Sequence, residues 1–161
     1  MFKKCAALNY RQQLSFCVVL LAVLWYIAVN AAQGQQRVAN YAFGKIGTKS
    51  YEHLSFWTQN NERHEITYSY GEEYKEIKLS YQGINTFKGE RCFKIEFSNG
   101  KLLCVIPKGT SLRVVDDNGQ YNKLFRWEYE GPRNGIGTFC NVCAEDEREA
   151  MRLIRRFFLS N

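Results

Sequence analysis

The sequence is poor in the residues and motifs that build catalytic, cofactor and metal sites. It contains no Walker-type loop, no G-x-G-x-x-G run and no H-E-x-x-H motif. It has two histidines, His53 and His64, and a hairpin turn at Asn60-Asn61 would set them roughly 13 Å apart on one face, too far apart to share a metal ion. We therefore predict no catalytic residue, no cofactor and no metal. A small hydrolase with dispersed carboxylates is a remote alternative.

Long apolar runs are equally scarce, and the one present lies near the N-terminus at residues 16–29. Three basic residues and no acid precede this run, and small residues follow it, a pattern typical of a secretory signal peptide. We predict that residues 1–34 are a cleaved signal peptide. A retained single-pass anchor is the alternative, because residues 14–32 would span about 28 Å as a helix. Both interpretations place the remaining chain outside the cytoplasm, secreted or periplasmic.

The positive charge of the chain is partly a property of that leader. The whole sequence has 22 basic and 16 acidic residues, for a net charge of +6. Removal of the three basic residues of the leader leaves 19 basic against 16 acidic, a net charge of +3. Acidic and basic residues also alternate along the chain, as in residues 72–76, which is typical of a solvated surface. We expect no nucleic-acid partner, and membrane contact only through an uncleaved leader.

The rest of the chain has the patterning of a β-rich domain. Four segments alternate apolar and polar residues, which predicts strands with one buried face. Their apolar members are Ile66, Tyr68 and Tyr70; Ile77, Leu79 and Tyr81; Phe93, Ile95 and Phe97; and Phe125, Trp127 and Tyr129. Asn99-Gly100 and Asn118-Gly119 predict two-residue hairpin turns, with Asn134-Gly135 as a weaker candidate. We predict an antiparallel meander of about seven to eight strands, either a closed barrel or a strongly curled sheet.

The C-terminal segment is different, because residues 145–159 carry an apolar stripe at helical spacing. Acids in the first turn and arginines in the last turns match the helix dipole. We expect this amphipathic helix to close the sheet, within one domain of residues 41–161 that follows a linker at residues 35–40. This outline resembles pleckstrin-homology-like folds and small calycin-like barrels with a terminal helix, a resemblance that implies the fold outline and no activity.

Four cysteines follow the leader: Cys92, Cys104, Cys140 and Cys143. With a two-residue turn at residues 99–100, Cys104 would face the core and Cys92 the opposite side, which disfavours a disulfide between them unless a bulge shifts the register. We expect Cys140 and Cys143 to serve structurally, by bonding each other or by tying the start of the helix to Cys92 or Cys104. Thiol–disulfide exchange and metal binding are the alternatives, and the acids of residues 145–147 oppose a thiolate there.

The aromatic residues give the last functional indication. Five of them are candidates to line a cavity for an apolar or planar ligand: Tyr68, Tyr70, Phe125, Trp127 and Tyr129. In a domain this small we favour the alternative that they fill the interior as solid core. We expect an exported, non-catalytic β-domain with a binding or structural role in the cell envelope or outside the cell. Its partner would be an unidentified protein or a small apolar ligand; the alternatives are a thiol–disulfide oxidoreductase and an apolar-ligand-binding barrel.

Overall fold

A computed structural model describes residues 36–129 and 142–160 of the chain. The chain divides into two units, Met1–Gly34 and Gln35–Asn161, and all of the described residues belong to the second. The predicted signal peptide, the predicted turn at Asn134-Gly135 and Cys140 lie outside the described residues. Within the described ranges, no helix has the length and apolar character needed to cross a bilayer.

The described residues form a closed antiparallel barrel and one helix, which confirms the predicted fold class. Each strand pairs with the next along the chain, and the last pairs with the first. The elements are β1 (Arg37–Phe43), β2 (Glu52–Gln59), β3 (Glu62–Tyr70), β4 (Lys75–Phe87), β5 (Glu90–Glu96), β6 (Leu102–Lys108), β7 (Ser111–Val115), β8 (Asn122–Glu128) and α1 (Glu147–Phe158). Strand β1 begins inside the segment predicted as linker, residues 35–40.

The barrel closes along β1 with help from the chain that leads into α1. Strand β8 pairs with β1 only between Asn40 and Ala42. Farther along the same edge, Val38 donates its N–H to the Val142 carbonyl at 2.9 Å and accepts from the Ala144 N–H at 2.9 Å. These bonds satisfy backbone groups that the short β8 leaves open, so the start of the helical segment is fixed to the barrel wall.

The turn between β5 and β6 corrects the predicted register. Phe97 N–H donates to the Lys101 carbonyl at 3.0 Å, so the turn has three residues and not two. Only Gly100 has a positive φ, of 80°, while the Asn99 side chain accepts from the Lys101 N–H at 3.0 Å. A type I turn followed by a glycine bulge explains this geometry. The register therefore moves by one residue, and Ile95 pairs with Leu103 instead of Cys104.

Two other turns differ in how closely they follow the sequence. Asn60 and Asn61 both have positive φ and close the β2–β3 hairpin with two residues, which is the geometry of a type I′ turn. The predicted two-residue turn at Asn118-Gly119 is wrong in length. Asp116 N–H donates to the Tyr121 carbonyl at 3.0 Å, which encloses a four-residue loop. The Asn-Gly pair predicted where this turn lies but not how many residues it contains.

Helix α1 closes one end of the barrel, as the apolar stripe predicted. Its Phe158 ring lies 5.3 Å from the Phe56 ring and 5.4 Å from the Phe93 ring, between centroids. The Phe158 carbonyl accepts from the Tyr81 hydroxyl at 3.1 Å. The helix begins at Glu147, slightly later than predicted, because the Asp146 side chain caps it. We call the opposite end, where the β1–β2, β3–β4, β5–β6 and β7–β8 turns lie, the open end.

Candidate functional site

A buried carboxylate marks the open end of the barrel. Glu52 begins β2 on the same inward face as Leu54, and only 8% of its surface is exposed. Its carboxylate accepts from the Tyr121 hydroxyl and from Lys123 Nζ, and its negative charge also acts on the nearby Tyr68 hydroxyl. A carboxylate this far from water needs such donors, because an unpaired buried charge is costly. The four side chains form one network, which we call the Glu52 cluster.

The Glu52 cluster keeps its tyrosines protonated. The pKa of Tyr68 and that of Tyr121 are raised above the ordinary value, mainly by burial and then by the negative charge and hydrogen bond of Glu52. Both phenols therefore act as hydrogen-bond donors and not as bases at neutral pH.

Positive charge surrounds aromatic rings at this end. Lys123 Nζ lies 4.8 Å from the ring centroids of Phe43 and Tyr121, and Lys101 Nζ lies 4.9 Å from that of Tyr121. These distances are those of cation–π contacts. Two lysines and the Glu52 carboxylate therefore lie around the Tyr121 side chain.

Tyr70 connects the Glu52 cluster to the surface. Its ring stacks on that of Tyr68, with centroids 5.7 Å apart and an angle of 24° between the planes. Tyr70 is 41% exposed and borders an open cavity of about 230 Å³. The other described residues that line this cavity are Lys49, Gly71, Glu72, Glu73 and Lys75. The cavity is smaller than a typical drug-sized site and suits a single ring or a short side chain.

A larger cavity, of about 600 Å³, lies against α1. Its described lining residues all belong to the helix: Glu149, Arg152, Leu153, Arg155 and Arg156. Flexible, charged side chains dominate this surface. Unlike the open end, it has no inward-facing buried charge among these residues, so we regard the open end as the stronger candidate.

The five aromatic residues that were candidates to line a cavity are not brought together. Tyr68 and Tyr70 belong to the open end, while Phe125 is fully buried in the core. Trp127 pairs with Tyr41 across β8 and β1, and Tyr129 is 48% exposed, 6.5 Å from the Trp127 ring. The inward faces of all eight strands and four residues of α1 pack into one core, as expected for a filled barrel.

Sequence reasoning missed Glu52, Tyr121 and Lys123. A signal was present for Glu52, since Leu54 and Phe56 alternate with polar residues and the period of two carries the inward face back to position 52. Nothing comparable identifies its donors, which lie 69 and 71 residues away in sequence.

The cysteines occupy two separate places. Cys92 and Cys104 both carry free, buried thiols on the outer face of β5 and β6, so the expectation that Cys104 faces the core is wrong. The shorter predicted turn had produced that error. Cys143 is buried beside β1, where its Sγ accepts from Asn40 Nδ2 at 3.2 Å. Because the other two thiols are free, the suggested bond from the helix start to Cys92 or Cys104 is not formed.

The histidines are also unlike each other. His53 is buried on the outer face of β2, stacked on Tyr51 at 6.3 Å between ring centroids, and its Nε2 has no hydrogen-bond partner among the described residues. Burial lowers the pKa of His53 to about 4. His64 is exposed. Among the described residues, no three His, Cys, Asp or Glu side chains are grouped to hold a metal ion.

A second partly buried carboxylate does not complete an acid pair with Glu52. Glu128 accepts a hydrogen bond from the Tyr51 hydroxyl at 3.1 Å, and burial raises its pKa despite that bond. It pairs with Asn40, whose neighbours Ala39 and Tyr41 face inward, so Glu128 lies on the outer face of the sheet. The two acids are on opposite sides of the barrel wall and cannot flank one substrate bond.

Comparison of the chain with protein-family models, with curated proteins and with solved structures found no match. The geometry of the open end is therefore the basis for a functional proposal.

Proposed function

We propose that this chain is an exported, non-catalytic β-barrel domain that binds a small planar ligand at its open end. The observation that carries the proposal is the contrast between the two ends of the barrel. One end is closed by the Phe158 ring of α1, and the other holds the buried Glu52 carboxylate among tyrosines and a lysine. A charge buried at a domain surface is costly, and such clusters are commonly kept for binding.

The side chains of the open end indicate the chemistry of the ligand. Tyr70 presents a half-exposed ring whose stacking on Tyr68 holds it in place, and a planar ligand would gain contact with it at little entropic cost. Lys101 and Lys123, whose ammonium groups lie beside the Tyr121 ring, favour an anionic substituent there. A purely apolar ligand would need space inside the barrel, and the packed core opposes that alternative.

Export is the second part of the proposal, and the basic and apolar pattern of residues 1–34 supports it. In an oxidising compartment we expect Cys143 to bond Cys140 as a structural clamp at the start of the helical segment. Cys143 is buried and carries no titrating thiol, in keeping with that role. Its burial and the acids that follow it weigh against a thiol–disulfide oxidoreductase, which needs an exposed thiolate.

The binding proposal is tested by fluorescence titration with anilinonaphthalene sulfonate, an anionic aromatic probe whose anilino ring has the size of the cavity beside Tyr70. We expect saturable binding that Tyr70→Ala weakens about two- to twelvefold, since an aromatic contact contributes about 0.5–1.5 kcal/mol. Lys123→Ala should also weaken binding and make it less dependent on salt. Tyr129→Ala is the matched control, because it removes a tyrosine of similar exposure at the other end of the barrel.

Equal loss of binding in Tyr70→Ala and Tyr129→Ala would contradict the proposal, as would unchanged binding in Tyr70→Ala. Urea unfolding of each variant shows whether a change in probe binding follows from lost structure.

A further inference from the structure

Two free thiols lie side by side on the outer face of the β5–β6 hairpin. Lys94 pairs with Cys104 and Phe93 with Val105, so Cys92 pairs with Ile106 and has Cys104 as its diagonal neighbour. Side chains at diagonal positions share a face of the sheet. Cys92 and Cys104 also belong to one small buried cluster on that face, so the two thiols are neighbours.

The surroundings of the pair are apolar. Cys92 and Cys104 are both buried and form a small cluster with Ile106 and Val115, against which Phe87 packs. This cluster is separate from the main core of the barrel. Among the described residues, these two buried thiols are the only cysteines of this cluster, so each has the other as its partner for a sulfur–sulfur bond.

We propose that Cys92 and Cys104 are a dithiol that a small-molecule disulfide, such as oxidised glutathione, converts to a cross-strand disulfide between β5 and β6. This inference goes beyond the binding function and does not depend on it, because the pair lies outside the barrel and away from the Glu52 cluster. From sequence this disulfide was disfavoured, because a two-residue turn would have put the two cysteines on opposite faces of the hairpin. The three-residue turn at residues 98–100 puts them on the same face.

The exchange proceeds in two balanced steps. One protein thiol loses its proton, and its thiolate attacks glutathione disulfide; the glutathione S–S bond breaks and one glutathione thiolate leaves. The second protein thiol then loses its proton and attacks the protein–glutathione disulfide, which releases the second glutathione. Two electrons pass from the dithiol to glutathione disulfide, and the two protons end on the two glutathione thiolates.

Burial makes this reaction slow in the folded chain. It raises the pKa of Cys92 to about 12, with the neighbouring Cys104 as a further cause. Because the thiolate is the reacting species, the exchange should accelerate as the pH rises. The burial of both thiols separates this pair from a catalytic site, so its role is to clamp the hairpin.

The test is peptide mapping of the full chain by mass spectrometry. Reduced protein is treated with oxidised glutathione in two ways, once in the folded state at alkaline pH and once during refolding from urea. It is then acid-quenched, denatured, alkylated and digested with trypsin without reduction. Cleavage after Arg91, Lys94, Lys101 and Lys108 separates the two cysteines onto residues 92–94 and 102–108.

We expect the two peptides to be recovered joined by a disulfide, with neither cysteine alkylated, in at least the refolding experiment. A Cys92→Ser variant should instead leave Cys104 alkylated or bearing a single glutathione. Recovery of both peptides alkylated after both treatments would overturn the proposal. So would linkage of Cys92 or Cys104 to another cysteine of the chain, and neither result depends on binding at the open end.

Discussion

The stability of the barrel should fall when the pH is lowered from 7 to 5, and His53 should cause most of that fall. In the folded chain burial holds the pKa of His53 at about 4, against an unperturbed value of about 6.5. Between these two values the unfolded chain binds a proton that the folded chain does not. The stability from His53 is therefore complete above pH 6.5 and is lost as the pH falls toward 4.

The size of the effect follows from the two pKa values. At pH 5 the imidazole is almost fully protonated in the unfolded chain and mostly neutral in the folded one, a difference of about 2 kcal/mol. The loss should approach about 3 kcal/mol at pH 4 and then level off. Protonation of His53 in the folded chain is expected to be costly. Its Nε2 is buried and has no hydrogen-bond partner among the described residues, so the added charge would be unpaired.

Urea unfolding of the wild-type chain, His53→Gln and His64→Gln at pH 7 and pH 5 measures this effect. The quantity compared is the change in unfolding free energy between the two pH values, so a constant cost of substitution cancels. We expect His53→Gln to lose about 2 kcal/mol of that pH dependence. His64→Gln, which removes the exposed histidine, should retain it. Equal pH dependence in wild type and His53→Gln would refute the reasoning.

Two further substitutions test the ends of the barrel, with urea unfolding as the measurement. Phe158→Ala should lower the free energy of unfolding by about 3–5 kcal/mol, because it leaves a cavity where α1 meets the core. Phe157→Ala, at a half-buried position, should lower it clearly less. Equal losses would contradict the role given to Phe158. Glu52→Ala should cost about 1–3 kcal/mol, because it removes the acceptor of buried donors, and Glu52→Gln should restore part of that loss. An unchanged free energy of unfolding in Glu52→Ala would show that Lys123 and its neighbours are hydrated when the carboxylate is removed.

Much of the barrel could be predicted from local pattern. Alternation at period two predicted the inward face of β3, β5 and β8, and the helical stripe with its capping acids predicted α1. These signals are reliable because the apolar positions recur several times along each element and all of them are buried in the same core. The register of β5 and β6 was not predictable in the same way. It depends on whether Asn99 adopts a positive φ or instead, as in this chain, bonds the Lys101 N–H with its side chain.

The candidate site was mostly beyond such reasoning. Glu52 meets Tyr121 and Lys123 only because the barrel closes and brings β2 beside the β7–β8 loop at the open end. A local sequence pattern does not predict a contact between residues that are distant in sequence and meet only when the barrel closes. The same holds for Cys92 and Cys104, whose proximity was concealed by a one-residue error in the turn between them.

Amide chemical-shift changes of the full chain during titration with anilinonaphthalene sulfonate show directly whether the open end of the barrel is the binding surface. We expect the earliest and largest changes at Tyr68, Tyr70, Lys101 and Tyr121. Changes centred instead on Arg152 and Leu153, beside the cavity against α1, would contradict this expectation.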